Sequence, residues 1–329
     1  MNILIIGGTR FLGRHLVESA LGRGHRVTLF HRGQTNPGLF PQVETILGDR
    51  ETDLGKLAGR HWEAVIDTCG YFPRLVKLSA EALKDAVSQY VFISTCSVYA
   101  DFNVVGIDED YPLGATEDET IEDIGEGRYG PLKALCEKAV QEVFPENALI
   151  IRPGLIVGPH DYTDRFTFWP VRVARGGQVL APVGPHEPTQ FIHTRDLADF
   201  TLKCIEEKAT GAFNAVGPEQ PCPFGELLET CKRVSRSDAE FVWASAVFIA
   251  EHNVAPWTEL PLWIPESEGR GFSRMSNARA LAAGLKFRST EEIVRETLEW
   301  ALSRPADYEM RAGLKPERET ELIKLLSTK

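Results

Sequence analysis

The chain has 329 residues, with 36 Lys and Arg against 47 Asp and Glu for a net charge of −11, and is 43% hydrophobic and 25% charged. These proportions belong to a soluble globular protein and exclude a disordered chain or a mini-protein; at about 150 residues per domain the length predicts two lobes with a cleft between them. The acidic balance opposes a phosphate backbone, so nucleic acid is not the expected partner, although one local basic patch is compatible with it. The six cysteines form no CxxC pair and show no metal-like spacing to the eight histidines, which predicts free thiols in a reducing compartment and no metal. The N-terminal residues run from an apolar strand into a glycine loop with no basic region before them, and no apolar run reaches the ~18 residues of a membrane span. A cytoplasmic protein is expected, with a homodimer left open.

In chain order, the short apolar runs 3–6, 26–30, 45–47, 64–67, 90–94 and 149–152 read as strands, each bounded by Gly, Asp or Pro. Between them, 11–22, 74–86 and 132–143 carry apolar residues at helical spacing. Continuous apolar strands separated by helices imply a parallel sheet covered on both faces, a doubly wound α/β (Rossmann) domain. After Pro153 the texture changes to loops rich in Gly, Pro and aromatic residues, with a further strand-like pair at 190–193 and 211–215 and a long ordered loop over 257–274. Ser289 and Glu292 form a capping box that opens a helix ending before Pro305. The tail beyond Lys315 predicts a docking helix with Leu322, Ile323, Leu325 and Leu326 on its apolar face. Residues 1–157 with 189–217 are assigned to the dinucleotide-binding domain, and 158–188 with 218–329 to a smaller substrate-binding lobe.

The first strand ends in Gly7-Gly8-Thr9-Arg10-Phe11-Leu12-Gly13 and a helix follows at once. Glycine lets backbone approach a pyrophosphate, and the helix N-terminus offers free N–H groups and a positive dipole end. Where a dinucleotide fold usually ends its second strand in an acidic residue, this chain has Phe30-His31-Arg32-Gly33. With no carboxylate there to repel a 2′-phosphate, and with Arg32 and Arg10 able to bond one, NADP(H) is favoured and NAD(H) is the alternative. Asp49, in Gly48-Asp49-Arg50, is placed to accept from the adenine amine. Tyr129 and Lys133 stand four apart at the start of a helix and share a face, Pro131 being tolerable in a first turn. A phenol with pKa near 10 is about a thousandth ionised at neutral pH, and a cation held beside it favours the phenolate, making Tyr129 a usable acid/base.

The ordered set GGTRFLG, ISTCSVYA (Ile93 to Ala100), YGPLK (Tyr129 to Lys133), IRPGLIVGPHD (Ile151 to Asp161) and FIHTRDLAD (Phe191 to Asp199) resembles extended short-chain dehydrogenases/reductases of the NAD(P)-dependent epimerase/dehydratase family. The resemblance implies a Thr95-Tyr129-Lys133 constellation, with Thr95 polarising a substrate carbonyl, Tyr129 exchanging the proton and Lys133 holding the nicotinamide ribose. It further implies that Ser94, Thr68, Cys69, Gly70, Arg50, Pro153, Leu155 and Ile156 line the cofactor, with Ser97, Arg165 and Arg270 toward a small-molecule substrate. The implied activity is hydride transfer to or from a hydroxyl or ketone carbon, as a reductase or an epimerase.

Three departures qualify it. Arg10 replaces the middle glycine of the loop, as in a divergent branch similar to chloroplast stem-loop-binding and bacterial isoflavone-reductase-like sequences, some assigned to RNA; an NAD(P)-binding regulatory or RNA-binding module is therefore the alternative. Cys96-Ser97 stands where the family's dehydratases carry Asp-Glu, which disfavours dehydration. The run from Asp101 to Gly127, with Asp108, Glu109, Asp110, Glu117, Asp118, Glu119, Glu122, Asp123 and Glu126, is read as an acidic solvated loop.

Overall fold

The computed structural model describes residues 1–125 and 127–328; Glu126 of the acidic run and Lys329 lie outside the described residues. The first half alternates β1 (Asn2–Ile6), α1 (Leu12–Gly22), β2 (Arg26–His31), β3 (Glu44–Leu47), β4 (Trp62–Asp67), α2 (Pro73–Leu83), β5 (Val87–Ile93), α3 (Tyr129–Val143) and β6 (Ala148–Pro153). Then come β7 (Leu155–Val157), α4 (Phe168–Ala174), β8 (Gln178–Pro182), β9 (Pro188–Thr189), β10 (Phe191–His193), α5 (Thr194–Glu206), β11 (Gly211–Ala215), β12 (Cys222–Pro223) and α6 (Phe224–Ser235). The chain finishes with β13 (Glu240–Ala244), α7 (Ala246–Glu251), α8 (Glu266–Gly269), α9 (Ala278–Ala282), α10 (Thr290–Leu302) and α11 (Pro316–Ser327).

Seven strands form one parallel sheet in the order β3-β2-β1-β4-β5-β6-β11. Successive side chains of a strand point to opposite faces, and both faces here are covered. Ile3, Ile5, Ile66 and Ile151 pack with Leu16 and Val17 of α1 and Leu197 and Phe200 of α5. Leu4, Val65, Phe92 and Ile150 pack on the other side with Val76 and Ala80 of α2 and Cys136 and Val140 of α3. That is why the strands read as unbroken apolar runs, each buried Ile, Leu or Phe contributing about 1.5–3 kcal/mol. This is the doubly wound parallel sheet expected from the sequence.

The remaining elements build a second apolar cluster around Trp169, Phe224, Leu228, Phe248, Leu322 and Ile323. Here the sequence expectations need correction. The strand-like pair at 190–193 and 211–215 is split, since β10 pairs with β7 while β11 joins the main sheet beside β6. The β8/β13 pair and helices α4 and α6 were not foreseen. The Ser289 hydroxyl accepts from the N–H of Glu292 at 3.2 Å, and α10 ends at Leu302. The tail docks as α11 through Leu322 and Ile323, but Leu325 is 39% exposed. The six thiols are unpaired, and no helix among the described residues is long and apolar enough to cross a membrane.

Glu319 secures α11: its buried carboxylate accepts from Arg172 Nε at 2.5 Å and from the Leu180 N–H at 3.0 Å. Removing one partner leaves the other charge buried and unpaired. Glu319→Ala is expected to cost about 3 kcal/mol in urea unfolding, with the loss appearing in the midpoint and not the slope.

Candidate active site

The carboxyl ends of β1, β4 and β5 meet around the glycine loop. Gly7 and Gly8 have φ of 101° and 96°, a region that L side chains rarely adopt. Space demands glycine as well: a Cβ on Gly7 would lie 2.4 Å from Thr68 Oγ1, and one on Gly13 would lie 2.9 Å from the backbone of Gly8. α1 thus touches the end of β1 through bare backbone, forming a cradle that a methyl group would fill. Thr9 is buried, its carbonyl accepting from Asn36 Nδ2 at 3.1 Å, and Leu12 opens α1. On the next strand end Thr68 Oγ1 donates to Ile6 O at 2.8 Å, and the Cys69 N–H donates to Asp67 Oδ1 at 3.1 Å. The Ser94 hydroxyl is buried and has no hydrogen-bond partner among the described residues. A cradle of bare backbone and an orphaned hydroxyl at the carboxyl ends of parallel strands fit a dinucleotide.

α3 begins at Tyr129, and Pro131 falls in its first turn, as the Tyr129–Lys133 spacing requires. A Cβ on Gly130 would lie 2.0 Å from Ser97 O, so this turn packs directly on the 3₁₀ turn after β5. Tyr129 opens this turn, and the Thr95 hydroxyl just after β5 favours ionisation of its phenol. Thr95 Oγ1 in turn accepts from the Ser97 N–H at 3.1 Å and donates to Ser97 Oγ at 3.2 Å. Lys133, one helical turn on, is buried, and its Nζ donates to Gly70 O at 2.8 Å and Ile93 O at 2.7 Å. Burial pulls its pKa down to about 8, against the pull of Cys136, Asp67 and Glu137. Burial likewise pushes the Tyr129 phenol up, while the Thr95 hydroxyl and the Arg165 cation pull it down.

The arginines behave differently from expectation. Arg50 turns inward: its guanidinium grips the buried Asp67 carboxylate at 2.6 and 3.2 Å and donates to Ser79 Oγ. Burial pushes Asp67 up, but the pairing with Arg50 outweighs it and holds the carboxyl below its ordinary value. Arg32 lies 3.9 Å from Asp49, and Arg10 stacks on the ring of Tyr162 with 3.5 Å from guanidinium carbon to centroid. Neither arrangement gives support to a preference for NADP(H). Arg165 lies over the Trp257 ring and makes no ion pair among the described residues. Arg270 is exposed at the end of α8; its carbonyl accepts from Arg274, and its guanidinium has no ion pair among the described residues. Pro153 closes β6, and Leu155 and Ile156 lie on β7. Sequence reasoning missed Asn36, Asp67, Tyr71 and Tyr162. Tyr71, directly after Thr68-Cys69-Gly70, carried the clearest positional signal.

The fold and cradle define a dinucleotide-binding α/β protein of the extended short-chain dehydrogenase/reductase type. The sequence profile of the NAD dependent epimerase/dehydratase family matches residues 3–69 and 74–216, and the chain belongs to that family. It is 28% identical over 250 residues to the chloroplast stem-loop binding protein of 41 kDa b of Arabidopsis thaliana, covering 70% of this chain and 62% of that one. It is 26% identical over 262 residues to a UDP-glucose 4-epimerase of Neisseria meningitidis, covering 64% of this chain and 75% of that one. Among solved structures, UDP-N-acetylglucosamine 4-epimerase from Bacillus cereus superposes with a TM-score of 0.69 at 17% identity, covering 94% of this chain and 99% of that one. The UDP-glucuronic acid 4-epimerase from Bacillus cereus in complex with NAD gives 0.67 at 15% identity, covering 95% and 100%. These structural likenesses show the fold.

The site's electrostatics make a direct prediction. Following phenolate absorbance with pH, and subtracting Tyr129→Phe, Tyr129 is expected to ionise above 10, its ordinary value. Arg165→Ala is expected to move it higher still.

Proposed function

We propose that the chain is an NAD(H)-dependent oxidoreductase of epimerase or reductase type, acting on a hydroxyl or ketone carbon of a sugar-like small molecule. The observation that carries this reading is the buried Lys133, which ties α3 to the ends of β4 and β5, with Tyr129 one turn earlier on the same helix and the glycine cradle at the end of β1. When bound, the nicotinamide cofactor supplies a carbon that takes up and returns hydride. Gly7 to Gly13, Asp49, Thr68, Cys69, Gly70, Ser94, Pro153, Leu155 and Ile156 are the residues that would hold it. An ammonium has three donors, and Gly70 and Ile93 take two, so Lys133 keeps one for the ribose. Thr95 orients the substrate oxygen, and Tyr129 gives or takes its proton. Ser97 and Arg165 serve as substrate hands, and Arg270 as a more distant one. In this reading residues 1–157 with 189–217 bind the cofactor, and 158–188 with 218–329 shape the substrate side.

NAD(H) is preferred because a 2′-phosphate beside Arg32 would also meet the Asp49 carboxylate. The Bacillus cereus UDP-glucuronic acid epimerase, complexed with NAD, supports the same choice. Dehydration finds no proton-transfer pair after Thr95: Cys96 is buried, its thiol donating to Arg152 O at 3.1 Å and pushed far up by burial. A binding module without turnover has no use for a proton-transfer phenol.

Fluorescence titration is expected to show tighter binding of NADH than of NADPH; the reverse order would overturn the cofactor assignment. Turnover is then followed across UDP-hexoses and simple keto sugars, as epimer formation or NADH oxidation. Tyr129→Phe is expected to keep NADH affinity and lose about 10²–10⁴-fold in rate. An unchanged rate would remove Tyr129 from the mechanism.

A further inference from the structure

The loop between β7 and α4 crosses the N-terminus of α1 and is anchored on both sides of Tyr162. On the near side, the carbonyl of Pro159 lies 3.3 Å from His15 Nε2, and the His160 ring sits 6.0 Å from that of His15 and 5.6 Å from that of Trp300. Asp161 is wholly buried, and its Oδ1 accepts from both the N–H and the hydroxyl of Thr163 at 2.8 Å. On the far side, Asp164 is also wholly buried, accepting from Arg304 at 2.6 Å, from the Tyr308 hydroxyl at 2.8 Å and from the Arg311 N–H at 3.0 Å.

Between these anchors Tyr162 stays 39% exposed and reaches over the glycine loop. The Arg10 guanidinium lies on its face, and the Phe11 ring meets it edge-on at 6.4 Å. Phe11 itself is held at φ 38°, a conformation that a non-glycine residue keeps only where its surroundings over-determine it. Tyr162 thus lies over the glycine loop that would take the diphosphate, stacked on Arg10 and edge-on to Phe11.

We propose that Tyr162, stacked on Arg10, is a latch across the cofactor groove that slows dinucleotide exchange in both directions and keeps the same cofactor through turnover. The inference rests on the cofactor reading above. A partly exposed guanidinium–ring stack alters an equilibrium by roughly 3- to 30-fold, so opening the latch is expected to change exchange rates by about tenfold.

Stopped-flow NADH fluorescence on the intact chain measures both rate constants. A latch slows entry and exit alike, so Tyr162→Ala is expected to raise kon and koff together by about tenfold, with Kd within threefold. Tyr162→Phe, which keeps the ring, is expected to match the parent. Arg10→Met opens the stack from the other side, and the double variant should exchange no faster than Tyr162→Ala. The parent is expected to carry NAD through gel filtration. A rise in koff alone, which marks an ordinary contact, or unchanged rates in Tyr162→Ala, would overturn the latch. A parent that binds neither NADH nor NAD overturns the cofactor reading itself, and the latch with it; binding with unchanged rates overturns only the latch.

Discussion

Lys133 makes no ion pair among the described residues. Its ammonium is buried on α3 and held by two backbone carbonyls, Gly70 after β4 and Ile93 at the end of β5, with the Phe92 ring 4.0 Å away. An ammonium out of water is costly unless its donors are satisfied, so this one ties the start of α3 to two strand ends at once. Gly130 completes the constraint, because only a residue without Cβ lets the helix settle on Ser97 O. Tyr129 lies one turn earlier on the same face and takes its position from that contact. Tyr129 and Lys133 are placed by helix packing, and burial is the largest influence on the titration of both.

The same economy governs the charges around the site. Behind it, Arg152 at the end of β6 pairs with Glu137 of α3 at 2.7 Å, donates to the Tyr99 hydroxyl at 3.2 Å and reaches Glu109 O at 3.1 Å. Tyr99 passes the chain on to Asn214 of β11. The acidic segment after β5 is thereby stitched to the sheet at Glu109, whose carboxylate also accepts from the Asn214 N–H at 2.7 Å. Farther along, Asp110 is met by Arg279, Glu122 by Arg74 and Asp123 by Arg128. Composition counts those carboxylates as repulsion toward an anionic ligand. Their pairing with nearby arginines confines that field, and the segment is partly structural where a wholly solvated loop was expected.

The parts legible in the sequence are those where one residue type has one physical use. Apolar runs bounded by Gly, Asp and Pro gave the six strands before Pro153 to within a few residues, because strands buried on both faces admit little else. The glycine loop was legible because its conformation and its contact with α1 both exclude side chains. Tyr129 and Lys133 were legible as a helical pair beside those features. Arginines were not, since the sequence carries no direction for a long side chain: Arg50 turned to Asp67 and Arg10 to a tyrosine about 150 positions away in the chain. The two- and three-residue strands β7, β9, β10 and β12 are too short to show a period, and they exist through tertiary pairing alone.

The second lobe bears on the chemistry because its late segments fasten the loop that covers the cradle. Asp164 is held by residues 304, 308 and 311, just after α10, and α11 is pinned in turn by Glu319. A loop fixed from a separately packed cluster can stay ordered while the groove beneath it opens and closes. That division bears on the outcome of the reaction. In the proposed reaction, oxidation of a secondary alcohol would use the same Thr95 and Tyr129 whether the product is a ketone or an epimer. The outcomes diverge afterwards, in whether the ketone turns over and recovers its hydride before the cofactor is replaced. The proposed Tyr162 latch would favour the second outcome, because slow exchange at the groove would give a substrate free to rotate in place time to be returned as its epimer.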